Sequence, residues 1–117
     1  MKKVGLVLAA VLLAPLAAEA QEAPKAFTQC KACHKVEPGK HGIGPSLAGV
    51  YGKKAGEVAG FKFSAPHKNS GLTWDDATLE RYLANPAAAI PGNKMVFAGF
   101  KNPDDTKAVI EYMKALK

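Results

Sequence analysis

One five-residue stretch, Cys30-Lys31-Ala32-Cys33-His34, constrains this chain more than any other. Two thiols three positions apart lie on one face of a helical turn, and a histidine follows at once. This spacing is typical of c-type haem attachment, in which both sulfurs bond one edge of the porphyrin and the histidine binds the iron. A short-range disulfide, a redox-active CxxC pair and part of a zinc site are the alternatives.

The N-terminus has the pattern of a secretory signal over residues 1–20. Two lysines follow Met1, an apolar stretch covers residues 4–17, and Ala18-Glu19-Ala20 offers a cleavage site. The apolar stretch is shorter than the ~20 residues that span a bilayer. We therefore expect a cleaved signal, periplasmic export, no stable membrane insertion, and a single domain over residues 21–117.

The alternatives for the two cysteines fit the sequence less well than haem does. A thioredoxin-like CxxC needs a βαβ pattern around it, and the chain has no alternating strand runs. A structural zinc site needs four ligands, and the second half of a spaced zinc motif is missing. A CxxC disulfide would close a very small, strained loop. Haem attachment is therefore favoured, and His41 and His67 are assigned structural or surface roles.

The fold must be small, because removing 20 of the 117 residues leaves 97, enough for one domain. A chain of this length buries a small share of its surface, and this one has 11 glycines and 8 prolines. Residues 35–63 are too rich in glycine for regular elements and too apolar for disorder. A porphyrin wrapped by this segment would complete the core. We predict an all-α fold with three main helices, short helical turns and long loops around one haem.

Helix signals divide the rest of the domain. We predict main helices over residues 24–33, from Thr73-Trp74-Asp75-Asp76 to Asn85-Pro86, and after Asn102-Pro103. Short helical turns are expected over residues 64–69 and 86–90, and an extended loop over residues 94–100.

The second axial ligand of the iron decides between an electron carrier and a ligand-binding protein. Met113 falls in the apolar stripe of the last helix, whereas Met95 follows a proline-glycine turn in a loop, so we assign Met95 together with His34. Two protein ligands leave no open position at the iron, and we find no catalytic constellation elsewhere, so we expect electron transfer and no enzyme. A ligand-binding or sensing haem protein, in which a small molecule displaces Met95, is the alternative. A dedicated haem subunit of one dehydrogenase is a third reading.

Taken together, these segments resemble the class I c-type cytochromes, and the chain is similar to mitochondrial cytochrome c and its soluble bacterial relatives. The resemblance covers nearly all of residues 21–117. Its most specific segments are Cys30 to His34, residues 40–47, Gly49-Val50-Tyr51-Gly52, Trp74, residues 82–86, residues 90–97 and residues 110–113.

The resemblance implies a set of residue roles around one covalently bound haem c. Cys30 and Cys33 would carry the thioether bonds. The Pro45 carbonyl would accept the second ring N–H of the proximal histidine, the Tyr82 hydroxyl would reach toward the methionine sulfur, and Trp74 would donate to a haem propionate. Asn93 flanks the ligand at a position where the family often has threonine.

Departures from the family concern the haem propionates. Lys53 stands where mitochondrial cytochromes have arginine, Phe61 and Phe63 stand at two positions often filled by tyrosine, and His67 stands at a usual asparagine position. We therefore expect a propionate environment that depends more on water, Trp74 and His67.

The net charge and the residues expected around the haem edge indicate what kind of redox partner the protein has. The net charge is +6, and +5 without the signal, which favours a partner with an acidic face. We expect an oxidase, reductase or dehydrogenase, and a monomeric carrier. Nucleic acid is not expected, since the chain is exported and its lysines are dispersed. Mitochondrial lysines around the haem edge are replaced by Gln29, Gly42, Ala87 and Ala88, so an apolar patch at residues 87–89 is expected to share the contact.

Overall fold

The computed structural model describes Gly5 and residues 22–117, so the signal predicted over residues 1–20 lies, apart from Gly5, outside the described residues. This part of the chain contains helices and no strand, with one isolated antiparallel bridge between Lys54 and Thr73. The elements are a 3-10 turn at Lys25–Phe27 and helices α1 (Thr28–Lys31), α2 (Ala65–Lys68), α3 (Asp76–Ala84), α4 (Pro86–Ala89) and α5 (Pro103–Ala115). The prediction of an all-α fold is confirmed.

Side-chain caps begin the helices of the second half where the sequence predicts them. The Asp75 side chain accepts the Thr78 N–H at 2.8 Å and begins α3. The Asn102 side chain accepts the Asp104 N–H at 2.9 Å and begins α5, whose first residue is Pro103. Each cap satisfies a backbone donor that has no partner within the helix.

The first helix is shorter than the predicted range of residues 24–33. It starts as the 3-10 turn, and α1 ends at Lys31, so Cys33 and His34 lie just beyond it. The His34 N–H still donates to the Cys30 carbonyl at 2.9 Å, but the Cys33 carbonyl accepts the N–H of Gly44 at 2.9 Å. The chain therefore leaves the helix here, because a residue of the following loop takes the carbonyl that another turn would need.

The core lies where the first and last helices meet and where α5 packs on α3. Phe27 is fully buried, and its ring meets the edge of Tyr112 at 4.8 Å between centroids. Further members of the core are Val50, Trp74, Leu79, Leu83, Ile90, Phe100, Val109, Ile110 and Met113. Within residues 22–117, none of the helices has both the length and the apolar character needed to span a bilayer.

The glycine-rich segment, residues 35–63, is held in shape by His41. The Nε2 of His41 donates to the Ala59 carbonyl at 3.0 Å, and its Nδ1 accepts the Ser46 N–H at 3.0 Å. Donation from one ring nitrogen and acceptance at the other define a neutral imidazole. His41 thus joins two distant parts of the loop and has the structural role predicted for it.

A second loop, residues 90–100, runs from α4 to the segment before α5. Its end is attached to α3, because the Phe100 N–H donates to the Leu83 carbonyl at 2.8 Å. Gly99 has a φ of +109° and lies so close to Ala84 that a Cβ would overlap the Ala84 carbonyl. Only glycine allows this approach, and the approach determines where the predicted ligand loop lies.

Candidate haem site

One cavity of about 440 Å³ collects the residues that the sequence singles out. Its wall is formed by the loop after α1, by α3 and by the second loop, and most of its lining side chains are apolar. The wall includes all eight predicted site residues: Cys30, Cys33, His34, Pro45, Trp74, Tyr82, Asn93 and Met95. The chain therefore brings together one set of side chains that are up to 65 positions apart.

His34 is held in one orientation by the loop that follows it. Its Nδ1 donates to the Pro45 carbonyl at 2.7 Å, which leaves Nε2 available for a metal ion. Burial lowers the pKa of His34, an effect larger than the opposing one of the Pro45 hydrogen bond. A Cβ at Gly44 would lie 2.5–3.0 Å from three atoms of the ring. The His34 ring therefore favours its neutral form and is fixed in orientation, as metal binding requires, and Gly44 leaves the space that the ring occupies.

The two cysteines are half-buried at the cavity and do not form a disulfide with each other. Burial, and then the neighbouring Cys33, raise the pKa of Cys30 to about 11. Reactive CxxC pairs have thiols of lowered pKa, so this environment does not suit a redox pair. Among residues 22–117 there is also no group of three or more His, Cys, Asp or Glu that would hold a metal ion. These observations oppose the redox and zinc alternatives.

The sulfur of Met95 lies beside Tyr82. The Tyr82 hydroxyl donates to Met95 Sδ at 3.7 Å, the contact that the resemblance implies. Burial raises the pKa of Tyr82 to about 12, so the hydroxyl keeps its proton near neutrality. The backbone N–H of Met95 donates to Oδ1 of Asn93 at 2.9 Å. The methionine is thus held at both its main chain and its sulfur.

An aromatic cluster closes the same wall. The ring of His67 stacks on Phe63 at 5.1 Å between centroids and lies 5.7 Å from Trp74, which is 4.8 Å from Tyr82. Burial lowers the pKa of His67, which favours its neutral form. His67 therefore has more than a surface role, since it lines the cavity. Lys53, in contrast, is exposed and is not part of the wall.

Two exposed apolar residues at the cavity, Ile43 and Val96, had no role assigned from the sequence. Ile43 is 81% exposed and Val96 is fully exposed, although both are large and apolar. Each contributes to the cavity wall. They lie in irregular loops, where no periodic pattern marks a buried or an exposed face, so only the fold shows their exposure.

These residues fit a covalently attached haem. The site offers two thiols for its vinyl groups, a neutral imidazole with a free nitrogen, a thioether and apolar walls. Gly44 and the Pro45 carbonyl hold the imidazole in the orientation that iron binding needs.

Comparison with known proteins shows which class of protein this chain belongs to. Residues 20–117 match the family model described as Cytochrome c. Cytochrome c2 iso-2 of Magnetospirillum molischianum is 72% identical over 96 residues, which are 82% of this chain and 99% of that protein. Cytochrome c2 of Rhodoplanes tepidamans is 60% identical over 98 residues, which are 83% and 100% of the two chains. These matches define a class I c-type cytochrome.

A solved structure supports the same class. Cytochrome cH from Methylobacterium extorquens superposes with a TM-score of 0.72 at 50% identity, over 77% of this chain and 91% of that one. The chain belongs to the cytochrome c family. It carries one covalently bound haem c and transports electrons. The fold, the cofactor and the electron-transport function predicted from the sequence are confirmed, and the ligand-sensing alternative is not favoured.

Proposed function

We propose that this protein is a soluble periplasmic one-electron carrier whose haem iron is bound by His34 and Met95. The observation that carries the proposal is that one cavity presents the Nε2 side of an oriented, neutral His34 and a hydrogen-bonded Met95 sulfur. Bound haem c supplies one-electron exchange between ferric and ferrous iron. The chain's part is to attach it through Cys30 and Cys33, to orient its ligands and to exclude water.

Each remaining site residue supports this function from the cavity wall. Pro45 orients the histidine, Tyr82 donates to the methionine sulfur, and Trp74 offers an indole at the wall of the same cavity. A soft thioether ligand favours ferrous iron, so His/Met ligation raises the reduction potential. With both axial positions taken by the protein, substrates have no place at the iron. The protein is then a carrier and not an enzyme.

Export and domain organisation complete the proposal. Residues 1–20 would direct the chain out of the cytoplasm and be removed, leaving residues 21–117 as one monohaem domain. The signal pattern in the sequence supports this, together with the match of the family model to residues 20–117. A cytochrome of this kind would be loaded with haem only after export.

Redox partners would dock where the cavity reaches the surface. Ile43 and Val96 offer exposed apolar contacts at this position, and Ala87 and Ala88 are exposed as well. The surplus of positive charge favours an oxidase, reductase or dehydrogenase with an acidic face. Reduction rates that do not fall with added salt would assign the contact to the apolar residues instead of the charge.

Replacing the proposed ligand tests the function. We expect Met95→Ala to abolish the long-wavelength band of ferric haem with a sulfur ligand and to lower the potential, because the soft ligand is lost. Met113→Leu is the matched control, since Met113 is 4% exposed in the core and should leave both unchanged. A pyridine haemochrome spectrum would show that each variant carries one haem. Retention of the band and the potential in Met95→Ala would refute the ligand assignment.

A further inference from the structure

The side chain of Asn93 joins three points of the backbone. Its Nδ2 donates to the carbonyl of Pro86 at 2.8 Å and to that of Ile90 at 2.7 Å. Its Oδ1 accepts the N–H of Met95 at 2.9 Å. Two carbonyls can only accept and an N–H can only donate, so the orientation of the amide is unambiguous.

The two carbonyls belong to buried residues at the two ends of α4. Pro86 and Ile90 begin and follow α4, and both are almost fully buried. Each carbonyl also accepts a backbone N–H, that of Ile90 at 3.0 Å for Pro86 and that of Asn93 at 3.1 Å for Ile90, and the Asn93 amide adds a second donor to each. Asn93 therefore ties the backbone of Met95, whose sulfur is the proposed iron ligand, to the buried residues Pro86 and Ile90 at the two ends of α4.

No donor of the Asn93 amide is left for another partner. Both hydrogens of Nδ2 are used by the backbone, so the side chain does not have a free N–H to offer to a haem. A threonine, which the family often has here, carries one hydroxyl hydrogen and donates one hydrogen bond at a time. Asparagine at this position thus makes a contact set that threonine cannot reproduce.

We propose that Asn93 is a positioning residue for Met95, which holds the ligand loop against α4 and so limits the displacement of the sulfur from the iron. The inference rests on the proposed ligation by His34 and Met95. It gives Asn93 a mechanical role, whereas the resemblance implies only that Asn93 flanks the ligand. A loop released from α4 is free to move its methionine away, and an external ligand then competes more easily.

The test measures imidazole binding to the ferric holoprotein. Binding is monitored through the loss of the absorption band that the sulfur ligand produces. We expect Asn93→Ala to bind imidazole at least about tenfold more tightly than the wild type, since the hydrogen bonds of the Asn93 amide no longer oppose the displacement of Met95. Asn93→Thr should lie between Asn93→Ala and the wild type, because it retains one donor. If Asn93→Ala does not fold, the threonine variant carries the test.

Asn102→Ala is the matched control. This asparagine also accepts a backbone N–H at 2.9 Å, but that N–H belongs to Asp104 in the first turn of α5 and not to the ligand loop. Urea unfolding would show that it lowers stability, and its imidazole affinity should equal that of the wild type. Unchanged affinity in the Asn93 variants, or an equal increase in Asn102→Ala, would overturn the proposal.

The Met95→Ala variant separates this proposal from the function on which it rests. If its imidazole affinity equals that of the wild type, Met95 is not the ligand and both proposals are wrong. If Met95→Ala binds imidazole much more tightly while the Asn93 variants behave as wild type, only the role of Asn93 is refuted.

Discussion

The two sides of the haem cavity hold the two proposed iron ligands in different ways. On the histidine side, residues 30–46, a ring nitrogen of His34 meets the Pro45 carbonyl at 2.7 Å, only 11 positions along the chain. On the methionine side, residues 82–100, the sulfur of Met95 meets the Tyr82 hydroxyl at 3.7 Å. A sulfur is a weak acceptor, so this side depends on the backbone network around it. We infer that the methionine side is the first to yield when the fold is weakened.

Both sides also depend on a glycine at a close approach, but the neighbours differ. Gly44 faces the His34 ring, a side chain, whereas Gly99 faces the Ala84 carbonyl, which belongs to the backbone of α3. A side chain can move at moderate cost, while a helix backbone cannot shift without disturbing its packing. The two glycines therefore offer a direct comparison of the two sides.

The largest loss of stability is expected for Gly99→Ala. The new Cβ would overlap the Ala84 carbonyl, and a φ of +109° is unfavourable for alanine. Overpacking and backbone strain together should lower the free energy of unfolding by at least about 3 kcal/mol, and the sulfur-ligand band should weaken. Urea unfolding and the ferric spectrum of the holoprotein would measure both effects.

Gly39→Ala is the control for backbone strain alone. Gly39 has a φ of +73°, but a Cβ there meets nothing within 4 Å. The variant should lose only about 1 kcal/mol and keep the wild-type spectrum. Equal losses in the two variants would show that contact with α3 does not matter.

A smaller effect is expected for Gly44→Ala on the histidine side. The Cβ would press on the His34 ring at 2.5–3.0 Å and turn it from its hydrogen bond with Pro45. We expect a loss of about 1–3 kcal/mol in the free energy of unfolding, with the sulfur-ligand band largely kept. Lys35→Ala, at an exposed position of the same segment that does not line the cavity, is the control. If Gly44→Ala loses the sulfur-ligand band while its free energy of unfolding is unchanged, the proposed difference between the two sides is wrong.

The smallest effect is the pH dependence that His67 adds to the free energy of unfolding. Burial lowers the pKa of His67 below 6.5 in the folded chain, so the unfolded chain binds its proton at higher pH. Stability from this group is therefore full above about pH 6.5 and is lost as the pH falls through the folded pKa. The titratable group that faces His67 from α3 is Tyr82, which keeps its proton near pH 7.

The comparison of wild type with His67→Asn measures this effect. Urea unfolding at about pH 7.5 and pH 5 should show a steeper loss of stability in the wild type, since the variant lacks the titrating ring. His34 and His41 are common to both proteins and cancel. A reduction potential that stays flat between about pH 5 and pH 8 would count against a His67 that titrates near the haem.

Much of the site was predictable because its signals are local. The spacing of Cys30, Cys33 and His34 lies within five residues, and a proline-glycine turn marks the loop of Met95. Caps at Asp75 and Asn102 mark the starts of α3 and α5, since a side chain bonds to a backbone group two or three residues away. The roles of Pro45, Trp74 and Tyr82 came from resemblance instead, because no local pattern indicates them.

Other features could not be predicted, since they depend on segments that meet only in the fold. The first helix ends early because Gly44 takes the Cys33 carbonyl. The Asn93 amide is occupied by α4, and Ile43 and Val96 are left exposed beside the cavity. Each depends on an approach between backbones or loops that no spacing in the sequence encodes.

The sequence by itself determined the chemistry of this protein, namely the thiols, the imidazole and the thioether that make it a haem-binding electron carrier. Tertiary structure alone decided how firmly each ligand is held. The kinds of bond that the chain can make to a haem follow from the residues present. The strength with which a loop is held follows from distances between segments far apart in the chain. A motif of five residues therefore indicates the cofactor, and the packing of α3, α4 and two glycines positions the proposed iron ligands.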